Sequence, residues 1–203
     1  MSLLRSSLDV LRTDRRALIV LSSVYLGLFG LGILVSALAP DEAFVADPAG
    51  GELSPGMAEF FEATFASKNV ALTALAVFGV NFFAISVIQT TIPSFIIPFV
   101  GVLLTGFRLF MWGIIFTPIG EEDPSFLVHW VTLLIEGAAY VLVAFAAWVH
   151  GRMFLQPSRY GIEGRGRGYL EGLKATGKIY IWVFILLVIG ALYESVTLIY
   201  VLN

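Results

Sequence analysis

Three ionisable side chains stand inside long apolar stretches of this chain: Arg108, Glu136 and Glu194. Asn81 lies in a fourth such stretch. A charged group in a bilayer core costs about 2.5–3.5 kcal/mol on insertion scales and marks a functional site by default. Helix rise sets their depth: Arg108 and Glu136 come out roughly 14 Å deep, Glu194 roughly 10 Å and Asn81 roughly 17 Å. One guanidinium and two carboxylates thus reach nearly one level from three segments. The cheapest arrangement for such groups is a hydrogen-bonded Arg–carboxylate pair. Arg108 is therefore expected to pair with Glu136, Glu194 or both. The pair would serve as a structural clamp that fixes helix register, which is the preferred reading. The alternative is a polar path for protons, ions or a headgroup. With two acids to one base, one carboxylate is left to hold a proton or await a cation.

The elements that must carry these residues follow from composition. Of 203 residues 58% are hydrophobic and 13% charged, with mean hydropathy +0.90. Charge this sparse, against about 25% in soluble domains, excludes a water-soluble globule. Five windows have the roughly 20 apolar residues that a crossing requires: 17–39, 70–92, 95–117, 127–149 and 181–201. They are too long and too continuous for barrel strands. The expected fold is all-α: a single polytopic integral membrane helix bundle, with about five transmembrane helices plus short interfacial helices. The first window also has the flanks of a signal peptide, but its length favours a retained helix. Outside the spans lie an outer loop, 40–69, and a cytoplasmic loop, 150–180. The uncharged region 88–101 is either a hairpin or re-entrant.

Ten of the twelve Lys and Arg residues fall before 17 or in 150–180. The positive-inside rule puts both segments in the cytoplasm, giving a multi-pass protein of the cytoplasmic (inner) membrane with its N-terminus inside. Five crossings would leave the C-terminus outside; a re-entrant 88–101 would leave its side open. Residues 3–16 place Leu4, Leu8 and Leu11 on one helical face, as an interfacial helix does. Met57, Phe60, Phe61 and Phe65 do the same in the outer loop. The run Gly164–Gly168 lacks phosphate-loop spacing and reads as a flexible basic linker near headgroups, followed by a short lead-in helix over 169–178. Trp130, Trp148 and Trp182 sit at span ends, as an aromatic belt requires, and Trp112 lies deeper. Stripes of Gly27, Gly30 and Gly32, of Gly101, Gly106 and Gly113, and of Gly137 with Ala138, Ala144 and Ala147 mark close helix contacts.

No catalytic, cofactor-binding or metal-ligating set is recognisable. Cysteine is absent. His129 and His150 end the same span, about 31 Å apart by helix rise, and read as interfacial side chains. H-E-x-x-H and G-x-S-x-G are absent. Glu121-Glu122 is similar to the paired glutamates of intramembrane CAAX-type proteases, which carry an arginine where this chain has Phe126. No enzyme activity is expected, and the small net charge of −3 argues against nucleic acid as a partner.

Three stretches carry a family resemblance. They are Asn81 to Gly113 with Pro93, Gly101 and Gly106; His129 to Glu136-Gly137-Ala138-Ala139; and Tyr169-Leu170-Glu171-Gly172-Leu173-Lys174 through Tyr193-Glu194-Ser195. Over roughly 70–200 the chain resembles the stage II sporulation protein M family of polytopic membrane proteins. The family's His-to-Glu spacing is about one helical turn, against seven residues here. Glu136 and Glu194 therefore carry over better than His129. The resemblance implies a protein that organises or recruits partners in the cell envelope, without a cofactor. A permease or lipid-handling transport subunit, with Arg108, Asn81, Glu136 and Glu194 along a buried polar path, is the alternative. Membrane lipid is the expected surrounding partner; envelope proteins and a second copy of the chain remain open.

Overall fold

Backbone groups in hydrocarbon must bond within the chain, and this chain meets that requirement with helices. The computed structural model describes residues 3–38, 60, 63–119 and 126–200. Among them there is no strand. The helices are α1 (Leu3–Thr13), α2 (Arg15–Leu38), α3 (Val70–Ile96), α4 (Val100–Ile115), α5 (Phe126–Leu155) and α6 (Arg165–Tyr200). Helices α2, α3, α5 and α6 are long and apolar enough to cross a membrane, whereas α4 has 16 residues and is shorter. The chain is a membrane-embedded, multi-pass, all-α bundle. Much of the expected outer loop, with Met57, Phe61, Asp41 and Glu62, lies outside the described residues, as do Glu121 and Glu122.

The second and third windows form a hairpin whose turn is written in its prolines. Ile97, which precedes Pro98, is extended at φ −116° and ψ 104°, as the steric demand of a following proline dictates. Phe99 then reverses the chain in the left-handed region, φ 69°. The Ser94 hydroxyl clasps the two arms: it donates to the Thr90 carbonyl (2.7 Å) and accepts from the Gly101 amide (2.8 Å). A Cβ at Gly101 would lie 2.3 Å from Ser94 Oγ, so only glycine fits. The uncharged stretch is therefore a tight turn between two helices.

Within α3, residues Val80–Thr91 wind as a π-helix. Such i→i+5 turns are rare and mostly single. Here hydroxyls brace the carbonyls. Ser86 Oγ donates to the Asn81 carbonyl (2.8 Å) and Thr90 Oγ1 to the Ile85 carbonyl (2.9 Å), each five residues back. Tyr180 of α6 donates to the Ser86 carbonyl (2.8 Å), which leaves Thr91 to donate to Tyr180 (2.5 Å).

The expected loop 150–180 is largely helical instead. Helix α5 continues to Leu155 and α6 begins at Arg165, so the lead-in helix and the last span are one. A 3-10 turn at Pro157–Tyr160 joins them, with Gly161 and Gly164 at positive φ. Of the run read as a flexible linker, Gly164 and Gly166 have nothing within 4 Å, but Gly168 is a packing position: a Cβ there would lie 2.2 Å from the Met153 carbonyl oxygen, and further along the helix one at Gly172 would lie 2.8 Å from His150 Cδ2. The continuous helices also place Trp182 well inside α6, where its Nε1 donates to Ser7 Oγ (3.0 Å) and docks the amphipathic α1. His150, expected at an interface, is fully buried between the rings of Phe95 and Tyr169.

Helices α5 and α6 share the largest interface, where Ala139, Val143 and Ala146 meet Ile179, Val183 and Leu187. Helix α2 closes on α4 through Gly32 and Gly113. A Cβ at Gly32 would sit 2.1 Å from the Phe110 carbonyl oxygen, and one at Gly113 2.0 Å from that of Phe29. Gly27 and Gly30, by contrast, have nothing within 4 Å. Gly32→Ala and Gly113→Ala should therefore each cost about 1–3 kcal/mol by overpacking against backbone. Gly27→Ala and Gly30→Ala should cost nothing measurable, and equilibrium unfolding in detergent micelles reads the contrast. The Tyr160 hydroxyl donates to Asp14 Oδ2 (2.8 Å) and ties the interhelical turn to the α1–α2 junction. Burial, then that hydrogen bond, pushes the Tyr160 phenol up to about 12. Its contribution to stability is present below the ordinary tyrosine range and is lost as pH rises towards 12. Alkaline ultraviolet titration of the chain minus that of Tyr160→Phe should show one phenolate appearing near 12; an ordinary value of about 10 would refute the contact.

Candidate functional site

The polar residues of the apolar stretches meet around Tyr140. Helix α5 presents Glu136 and, one turn on, Tyr140, with exposures of 6% and 1%. Helix α3 presents Asn81 at the start of its π segment. The Asn81 amide bridges the two: Nδ2 donates to Glu136 Oε1 (2.6 Å), and Oδ1 accepts from the Tyr140 hydroxyl (2.5 Å). Helix α6 supplies the floor. Gly190 lies under the Glu136 side chain, where a Cβ would stand 3.3 Å from Cγ. Glu194, one turn further along α6, is close enough to act electrostatically on Glu136 and on Tyr140.

The expected Arg–carboxylate pair does not form. Among the described residues, no Lys, Arg or His nitrogen lies within ion-pair distance of Glu136 or Glu194. Arg108 instead donates from Nη2 to Gln89 Oε1 (2.7 Å), with its guanidinium 5.4 Å from the centre of the Tyr140 ring. The reason is local. Gln89 and Arg108 stand at nearly equal distances from the Ile97–Phe99 turn, so an antiparallel hairpin sets them side by side. Glu136 is taken up instead by the Asn81 amide. A clamp made of Arg108 and either glutamate is thus overturned, although all four sequence-derived residues do gather about one tyrosine.

Two residues of this cluster escape the search for charged groups. Tyr140 is four residues from Glu136, hence on its helical face. Gln89 is legible only once the turn is fixed at 97–99, because its pairing depends on hairpin register. Trp112 packs edge-on against Tyr140 (5.3 Å) and closes the cluster on the α4 side.

A cavity of about 410 Å³ opens between α2, α4 and α5, lined by Tyr25, Phe29, Trp112, Trp130 and Leu133 among others. Its walls are almost wholly apolar, and Glu136 does not line it although Gly137 does. Among the described residues no three His, Cys, Asp or Glu side chains gather as a metal site. The chain matches no protein-family model, no curated protein and no solved structure.

The bridging amide gives the site a testable order of importance. Asn81→Ala strips partners from both Glu136 and Tyr140, whereas Tyr140→Phe removes one donor and frees one acceptor. Leaving a buried polar group unmade costs about 1–3 kcal/mol. Asn81→Ala should therefore destabilise the folded bundle more than Tyr140→Phe, and the double variant should fall short of the sum. Additive losses in a double-mutant cycle would show that the three groups do not act as one network.

Proposed function

We propose that this chain is a transport-type subunit of the cytoplasmic membrane, N-terminus inside, whose working centre is the Glu136–Glu194 pair and whose cargo or coupling ion is the proton. What carries this reading is the pair's lack of a cation. Two carboxylates that act on each other in a water-poor interior cannot both stay charged without a counter-ion. A neutral amide and a phenol are their neighbours, and neither supplies charge. Such a pair takes up and releases a proton, as intramembrane acids in pumps and transporters do. The Asn81 and Tyr140 hydrogen bonds hold Glu136 in place while the charge changes. Glu194, without a hydrogen-bonded partner among the described side chains, is the more open of the two acids.

A second reading, a protein that organises envelope partners, follows from the resemblance to the stage II sporulation protein M family. What favours it is the exposed Gln89 beside Arg108, a polar patch on an otherwise apolar face.

The test uses the purified chain in vesicles holding a trapped pH-sensitive dye, with a potassium diffusion potential imposed. Proton entry should exceed that of protein-free vesicles. Glu136→Gln and Glu194→Gln should abolish the excess while leaving the amount of protein in the membrane unchanged. Loss of either variant from the membrane would assign the pair to structure. Unchanged flux in stable variants would end the proton reading.

A further inference from the structure

The cavity between α2, α4 and α5 plays no part in the transport reading and is independent of it. Its shape is elongated. The lining runs from Leu18 to Phe29 on α2 and from Leu142 back to Trp130 on α5. Phe29 meets Trp130 edge-on (5.6 Å) at one end, so the two helices run antiparallel along it. The helix rise from Leu18 to Phe29 makes the cavity about 17 Å long, roughly half of the ~30 Å hydrocarbon core. Leu26 and Leu134 belong to the lining yet are 66% and 62% exposed, so the cavity opens sideways between α2 and α5 to the medium around the bundle. Its hydroxyls are already used. Ser22 donates to the Leu18 carbonyl (2.9 Å) and Tyr25 to the Val102 carbonyl (2.8 Å). Trp130 Nε1 is itself a buried atom, out of a guest's reach. The walls thus offer a guest apolar surface and no free donor.

We propose that this cavity seats an acyl chain of a membrane phospholipid. Water does not fill it, because cavities lined by apolar side chains stay dry. Left empty, its walls forfeit dispersion contacts, which a chain entering from the surrounding hydrocarbon restores. Its volume of about 410 Å³ falls within the roughly 300–1,000 Å³ of ligand pockets. Shape excludes bulkier occupants. A helix with its side chains is about 10 Å across, so one laid along the same length fills more than ~1,300 Å³. No helix of a second copy fits inside, whereas a single slender chain does. The seated chain lies against Trp112, whose ring packs edge-on against Tyr140 (5.3 Å). Lipid therefore backs the wall of the polar cluster without touching its acids.

The experiment is photo-crosslinking of the purified full chain in vesicles of phosphatidylcholine that carries a diazirine midway along one acyl chain, with labelled residues mapped by mass spectrometry. Leu109, Trp112 and Leu133 line the cavity and are at most 9% exposed, so a lipid chain reaches them only from inside it. They should carry label, as should Leu103 on the outer face of α4, which is 72% exposed. Label confined to exposed residues overturns the proposal, whether another part of the chain, a second copy or nothing occupies the space. Gly137→Leu tests the site from the other side. Gly137 lines the cavity, and a Cβ there has nothing nearer than Leu109 Cδ2 at 4.0 Å, so the new side chain has room to fill it. That variant should lose the label at Leu109 and Trp112 and keep it at Leu103. Equal labelling of Trp112 in the two proteins also overturns the proposal. The mapping on the unaltered chain decides the matter even if Gly137→Leu fails to fold.

Discussion

A polar group in hydrocarbon has no water to fall back on, and the Asn81 amide shows how far that constraint reaches. Its two ends meet two different helical positions, a carboxylate and a phenol, and neither contact is replaceable by solvent. Holding an amide at that point needs α3 to present it toward α5 while Tyr180 of α6 bonds the same helix further along. The π winding is what lets one helix do both. Each i→i+5 turn shifts the side chains that follow, at the cost of poorer backbone geometry. Ser86 and Thr90 repair that cost by bonding the carbonyls of residues five back. Site and backbone irregularity are one solution to one demand.

The same demand explains the glycines. Gly190 gives the Glu136 side chain room against α6, and Gly101 lets Ser94 hold the hairpin shut. At Gly32 and Gly113 two backbones touch, as they do in lipid where dispersion contacts rather than water expulsion drive association. Small residues therefore act at a distance on the polar cluster. They set the separation of helices whose side chains must meet at hydrogen-bond length. Gly27 and Gly30, identical in type and similar in spacing, face open space and do none of this.

Fold class was legible because length and hydropathy decide it: no other architecture satisfies the backbone of five such stretches. Boundaries were less so. Pro98 and the pre-proline restriction on Ile97 put the hairpin turn where it is, but hydropathy alone overran it and began the third span at 95. The stretch 150–180 was misread because its glycines and bases look like a linker, whereas Gly168 and Gly172 are tight contacts inside a helix. Depth arithmetic brought Asn81, Glu136, Glu194 and Arg108 to a common level, and they do converge on Tyr140. It could not give azimuth. Whether Arg108 turns toward the acids or toward Gln89 depends on helix rotation and hairpin register. The π segment, which no residue pattern announced, changes both on α3.

Azimuth, in turn, sets the electrostatics of the whole bundle. Had Arg108 met Glu136, the interior would hold one compensated pair and one spare acid, and the charges would fix register and little else. Instead each meets a neutral partner, Gln89 and Asn81, at a site that also touches Tyr140. Its hydroxyl faces the acids through Asn81 and its ring faces the guanidinium, so a single side chain serves both sides with different chemistry. Glu136 is thereby left to the Asn81 amide, while the guanidinium is left to Gln89. An arrangement with both charges unneutralised is unstable in an empty hydrocarbon medium. A shared proton on the acids, as proposed above, would remove the negative side of that cost. The failure of the clamp therefore bears on the proposed proton chemistry, because a guanidinium paired with Glu136 would have held that carboxylate charged.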